Sequence, residues 1–171
     1  MEETFKRIPP EDVFITVFKR KPTEEELWMG VPPDFDGNRP SGNNLIDLFA
    51  YLIRKYGRMD TSEYARIMQL KTSELRGAIL AIGGMSAMEW RNRYLLLEAQ
   101  ELMERTDMSI TEIAAKLGFS QPSVFSKFFR TLTKSQPWEW RIEKKKPGSN
   151  RKRTYHCYCL LYTSDAADEA R

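Results

Sequence analysis

Residues 109–141 read SITEIAAKLGFSQPSVFSKFFRTLTKSQPWEWR, and the fold is decided within this stretch. Thr111 stands where it can cap a short helix whose Ile110, Ile113, Ala114 and Leu117 form one apolar stripe. Gly118 follows the last residue of that stripe, where a left-handed backbone suits glycine. Ser120 is placed to cap a second helix, with Pro122 in its first turn, where a missing N–H costs little. Phe125, Phe128, Phe129 and Leu132 then recur at i, i+3, i+4 and i+7, so this helix buries an aromatic face. Its other face shows Ser123, Ser126, Lys127 and Arg130. A scaffold helix, a glycine turn and a second helix with a small-polar, cationic outer face suits a DNA major groove. A helical hairpin that touches no nucleic acid is the alternative these residues leave open.

Working outward, the text from Asn43 to about Lys144 is helical. Asn44 to Tyr56 carries Leu45, Leu48, Phe49, Leu52 and Ile53 on a 3.6-residue period and stops at Gly57. A short helix is expected over Thr61–Met68, capped by Thr61 or Ser62, and another over Thr72–Ile82 with Leu75, Ala78, Ile79 and Ile82 inward. Ala87 to Arg105 reads as one long helix with Trp90, Tyr94, Leu97 and Leu102 among its apolar positions, and Pro137 to about Lys145 as the last helix. The region repeats internally. Tyr64-Ala65 through Leu75 and Ile79 parallels Ile113-Ala114 through Phe125 and Phe129, and the segment around Trp90 parallels that around Trp140. Each half has a single apolar stripe and needs a neighbour to bury it.

The chain has 171 residues, 41% hydrophobic and 30% charged, with a net charge of +3. That composition suits a soluble globular protein, and no run approaches the ~18 apolar residues of a membrane span. The N-terminus lacks the apolar core of a secretory signal, so a cytoplasmic location is expected. Residues 1–42 hold Pro9, Pro10, Pro22, Pro32, Pro33 and Pro40 and read as an extended arm, either packing its aromatics on the helical body or without fixed structure. Within it, residues 13–18 have strand composition and residues 24–29 could form one helical turn. Cys157, Cys159 and His156 lie together near the end and fall short of a four-ligand zinc site. Residues 144–171 read as a basic, disordered tail, and CLLYTSDAADE at 159–169 looks like a translated transposase-type sequencing adapter.

The central stretch resembles the AraC/XylS family of bacterial transcription regulators. The resemblance rests on Ile110, Glu112, Ile113, Ala114, Gly118, Phe119, Ser120, Ser123, Phe125, Phe129 and Arg130, then Pro137, Glu139, Trp140 and Arg141. It implies an all-α fold of two helix-turn-helix units joined by a long linker helix, homeodomain-like in each unit. The expected domain spans residues 43–143, with a first unit at 43–86, the linker helix at 87–105 and a second unit at 109–143. Departures fall mainly in the first unit. Gln69 stands where glycine is usual and Lys71 where a capping serine is usual, so that Thr72 is left to cap; Ile79 replaces a phenylalanine and Leu80-Ala81 a cationic pair. Leu95 stands where the linker commonly has arginine, and in the second unit Lys134 replaces a glycine.

The function so implied is a sequence-specific DNA-binding transcription regulator with two recognition helices in successive major grooves. Carried over from Leu75 and Phe125 as the first buried anchors, the base-reading positions are Ser73, Arg76 and Gly77 on one helix and Ser123, Ser126 and Lys127 on the other. Lys71, Thr72, Gln121 and Arg130 are placed for phosphates. Double-stranded DNA is the expected partner, with RNA polymerase a further candidate. The competing class is a protein-interaction module that keeps the fold without binding DNA. No His/Asp/Glu constellation suggests an enzyme, and no metal, cofactor or small-molecule pocket is expected.

Overall fold

A computed structural model describes residues 6–14 and 41–145. The reading of residues 15–18 and 24–29, of the cysteines and of the adapter-like stretch therefore lies outside the described residues. Among those described, all regular structure is helical: α1 (Pro10–Val13), α2 (Asn44–Tyr56), α3 (Thr61–Ile67), α4 (Thr72–Gly83), α5 (Ala87–Arg105), α6 (Ile110–Lys116), α7 (Pro122–Thr133) and α8 (Pro137–Lys145). Val13, expected to open a strand, instead ends the single turn α1. Pro10 is preset for the first helical position, and Val13 is buried by that turn. No helix among the described residues is long and apolar enough to cross a membrane.

Where each helix starts is settled by which side chain can reach the free N–H groups of its first turn. The Asn43 side chain accepts from the N–H groups of Leu45 and Ile46 at 3.1 and 3.2 Å. The short helices are capped one or two residues earlier than expected. Asp60, not Thr61 or Ser62, is the cap of α3, and the Glu63 carboxylate accepts its backbone N–H at 3.1 Å. Ser109, not Thr111, caps α6: its hydroxyl accepts the Glu112 N–H at 3.2 Å while the Glu112 carboxylate accepts the Ser109 N–H at 2.6 Å. These contacts with Ser109, side chain first and backbone second, hold the Glu112 carboxyl below its ordinary pKa. Lys71 rather than Thr72 is the cap residue of α4, where the Glu74 carboxylate accepts the Lys71 N–H at 2.9 Å. Gln121 rather than Ser120 precedes α7, because Pro122 takes the first helical position and forces the residue before it into an extended backbone, here φ −147° and ψ 148°.

The core has two aromatic centres. Phe49 of α2 meets Tyr64 of α3 edge-on at 5.3 Å and Trp90 of α5 at 5.4 Å, and Trp90 stacks on Tyr94 at 5.5 Å. In the second unit Phe119 meets Phe125 and Phe128 at 5.3 and 4.9 Å, and Phe129 meets Trp140 of α8 at 5.9 Å. Helix α5 lies between them, and every residue from Tyr94 to Met103 is buried, including Glu98, Gln100 and Glu101. Arg54 of α2 supplies the countercharge, hydrogen-bonded to Glu98 and 4.0 Å from Glu101. Burial, the largest single influence, would lower the Arg54 pKa, but Glu98, Tyr94 and Glu101 together outweigh it and the net shift is upward. The arm closes over this pair: Phe14 lies edge-on to Tyr94 at 5.5 Å, with the Arg54 guanidinium 5.0 Å above its ring.

The two units are joined by backbone as well as by α5. Arg58, just beyond α2, donates its N–H to the Leu117 carbonyl at 2.8 Å. Gly57 and Gly118 flank that bond with φ of +70° and +78°, so two left-handed corners interlock. The internal repeat shows at such corners. Gln69 (φ 58°) and Gly118 occupy the turn inside each unit, and Gly84 (φ +73°) and Lys134 (φ 64°) end the two second helices. A Cβ in this conformation costs about 1 kcal/mol. Lys134→Gly is therefore expected to raise the unfolding free energy by about 1 kcal/mol, which urea denaturation would measure. A loss of stability would show that other contacts of Lys134 outweigh its backbone.

Candidate nucleic-acid interface

Two helices point a comparable stripe away from the core. On α4, Leu75 and Ile79 are fully buried. Their burial turns Ser73, Arg76, Gly77 and Leu80 outward, all four exposed. On α7, Phe125 and Phe129 are fully buried. Ser123, Lys127 and Arg130 are exposed there, and Ser126 is half-buried. Lys71 and Gln121 are exposed at the entries to the two helices, whereas Thr72 is half-buried in the first turn of α4. The structure thus gathers the ten sequence-chosen residues into two groups, one at each second helix.

The chemistry of the two stripes differs. The Ser126 hydroxyl donates to the Pro122 carbonyl at 2.9 Å, which leaves its lone pairs facing outward as acceptors. The Ser123 hydroxyl donates to the Gln121 side-chain oxygen at 3.3 Å. Helix α7 carries Lys127 and Arg130 and no acid, whereas on α4 Arg76 is offset by Glu74. At the position where α7 has Arg130, α4 exposes Leu80, 57% accessible. A Cβ built on Gly77 would meet nothing within 4 Å, so a flat backbone strip opens midway along α4.

The cations sort into two sets. Arg54, Arg93, Arg105 and Lys144 form ion pairs with Glu98, Glu11, Glu101 and Glu104. Lys71, Arg76, Lys127 and Arg130 form none among the described residues, and neither do Lys6 and Arg7 of the arm. Sequence reasoning missed Arg7. Its side chain crosses the C-terminal end of α4, and a Cβ built on Gly84 would fall 2.5 Å from its Cδ and 3.3 Å from Nη1. No pattern in the sequence links these two residues; the Ile8 N–H bonded to the Ile82 carbonyl at 2.8 Å brings them together.

With this geometry the relatives can be compared. A family model described as "Helix-turn-helix domain" matches residues 64–142, the span from α3 into α8. Regulatory protein PocR of Salmonella typhimurium is 41% identical over 58 residues, which cover 34% of this chain and 19% of PocR. Residues 64–142 thus match a helix-turn-helix domain, in line with the resemblance of this stretch to the AraC/XylS family. Among solved structures, the fold is shared with a regulator from Chromobacterium violaceum described as AraC-type DNA-binding (23% identity, TM-score 0.52, covering 61% of this chain and 91% of that one). It is also shared with the DNA-binding domain of AdpA in complex with a target DNA (22% identity, TM-score 0.53, 59% and 92%). A third is the C-terminal domain of AraT, a response regulator from Geobacillus stearothermophilus (18% identity, TM-score 0.54, 66% and 93%). The family match begins inside the first unit, and α2, which precedes it, contributes Phe49 and Ile53 to the same core.

Proposed function

We propose that the chain is a sequence-specific, DNA-binding transcription regulator that seats α4 and α7 in successive major grooves. The observation that carries this reading is the pair of outward stripes. Each combines small or polar side chains with cations that form no ion pair among the described residues, α7 without any acid and α4 with Glu74 alone on the same helix. Ser73, Arg76 and Gly77 read bases in one half-site and Ser123, Ser126 and Lys127 in the other, while Lys71, Thr72, Gln121 and Arg130 hold phosphates. The DNA complex of AdpA, which has the same fold, supports double-stranded DNA as the partner. In this reading residues 43–143 are the DNA-binding body. Titration with random duplex DNA at low salt, followed by selection of bound sites from a random library, tests it. Binding that steepens on selected sites is expected. No affinity even at low salt would favour a protein-interaction module, for which the exposed Leu80 is the specific motive.

Gly77 gives a prediction of opposite signs. Glycine in a helix interior costs about 0.5–1 kcal/mol relative to alanine. The added methyl meets no protein atom. Gly77→Ala is therefore expected to stabilise the fold by that amount and yet weaken binding at the half-site read by α4, where the methyl would stand between backbone and base edges. Paired melting and binding measurements check it. A variant that gains stability with unchanged half-site preference would remove Gly77 from the base-reading set.

A further inference from the structure

The first unit lacks a cation at the far end of its outward stripe, because Leu80 and Ala81 stand where α7 has Arg130 and Thr131. At about 100° per residue, Ser73, Gly77, Leu80 and Gly84 fall on one line along α4. Arg7 lies across the last of these. It is held there by a built joint: the Ile8 N–H bonds the Ile82 carbonyl at 2.8 Å, the Trp90 indole N–H bonds the Ile8 carbonyl at 3.1 Å, and Arg93 pairs with Glu11 at 2.6 Å. Arg7 and the neighbouring Lys6 are exposed and form no ion pair among the described residues.

We propose that Arg7 is a DNA-phosphate ligand of the first helix-turn-helix unit, supplied by the arm to the end of α4 that its own sequence leaves uncharged. The inference rests on the DNA-binding reading above and adds a contact from outside the matched domain. A guanidinium fixed at a helix C-terminus also interacts favourably with the helix dipole, so a purely structural role has to be separated from binding. The two roles differ in their readout. A dipole contact changes melting and leaves the salt dependence of DNA binding alone, whereas a phosphate contact releases a counterion and sets that dependence.

The experiment compares the full chain with its Arg7→Ala and Arg7→Lys variants on a duplex selected by the unaltered chain and on random duplex, across a range of salt concentrations, with melting recorded in parallel. Arg7→Ala is expected to weaken both duplexes alike, by roughly threefold to tenfold, and to flatten the slope of log K against log salt by about 0.9. Arg7→Lys is expected to restore most of the slope, since the contact is a charge. Wild-type affinity and slope in Arg7→Ala, with or without a fall in melting temperature, overturn the proposal while DNA binding stands. Absence of binding by the unaltered chain in the same titration overturns the DNA reading and this inference with it.

Discussion

Replacing the buried Gly57 by alanine is expected to cost about 3 kcal/mol or more of stability. Two causes add. Its φ of 70° with ψ of −148° lies in a region that only glycine adopts without strain. A Cβ at Gly57 would also fall 2.6 Å from the backbone C and O of Leu117 and 2.9 Å from the Gly118 nitrogen. Those are main-chain atoms of the other unit, so no side chain can swing aside to relieve the overlap. The turn after α6 must move, and the bond from Arg58 N–H to the Leu117 carbonyl, 2.8 Å long, goes with it. Gly42 provides the control. It has nearly the same φ, +72°, but open space within 4 Å, so Gly42→Ala should show only the conformational term of about 1 kcal/mol. Melting of the two variants side by side makes the comparison, with a fall on the order of 10–20 °C expected at Gly57. Equal, mild losses would mean that the two units are not locked at this point.

The second large effect is on DNA. Lys127→Ala is expected to lose about 1–3 kcal/mol on the preferred sequence and to relax base preference in one half-site only. Arg130→Ala should instead weaken all sequences alike and flatten the salt slope by about 0.9, the signature of one lost phosphate contact. Arg76→Ala should act on the other half-site alone. The ranking follows from the helices themselves: α7 pairs two cations with two serines and carries no acid, while α4 has Arg76 with Glu74 close by. Footprinting of the three variants on one selected duplex separates the cases. Abolished binding in Arg76→Ala beside an unaffected Lys127→Ala would reverse the assignment of the dominant helix.

Much of this architecture is legible in the sequence because its apolar periodicity is strong where single helices must bury one face. The buried Phe125 and Phe129 and the half-buried Phe128 and Leu132 of α7 follow directly from their spacing. In α2 the period was right but the buried set is shifted: Ile46 and Ala50 are inside, while Leu45 and Leu48 are half-buried. The starts at Asn44, Thr61, Thr72, Ala87 and Pro137 agree with the sequence pattern, whereas the cap residues do not, because Asp60, Thr61 and Ser62 are all capping types and only the register imposed by the core decides among them. The burial of α5 on all sides was not readable from a helix with Glu98, Gln100 and Glu101 in it, since the balancing Arg54 comes from α2. The contact of Arg7 with Gly84 was equally hidden, because it depends on two backbone-level bonds of Ile8. Of the ten residues chosen for the interface, all stand at the two second helices, since the anchors from which they were counted, Leu75 and Phe125, are both fully buried.

The continuous burial of α5 bears on what kind of operator such a protein can use. A 19-residue helix is about 28 Å long, and this one is clamped along most of its length by both units. With the Gly57–Gly118 interlock added, nothing resembling a swivel lies between α4 and α7. Their separation and relative rotation are then properties of the protein. Each base pair inserted between half-sites turns the second groove by roughly 35° about the DNA axis, since a turn takes 10–10.5 base pairs. On the DNA-binding function proposed above, a chain built in this way would act as a ruler: it would tolerate substitutions within a half-site one contact at a time, but a change in spacing would have to be absorbed by the bending and twisting of the DNA.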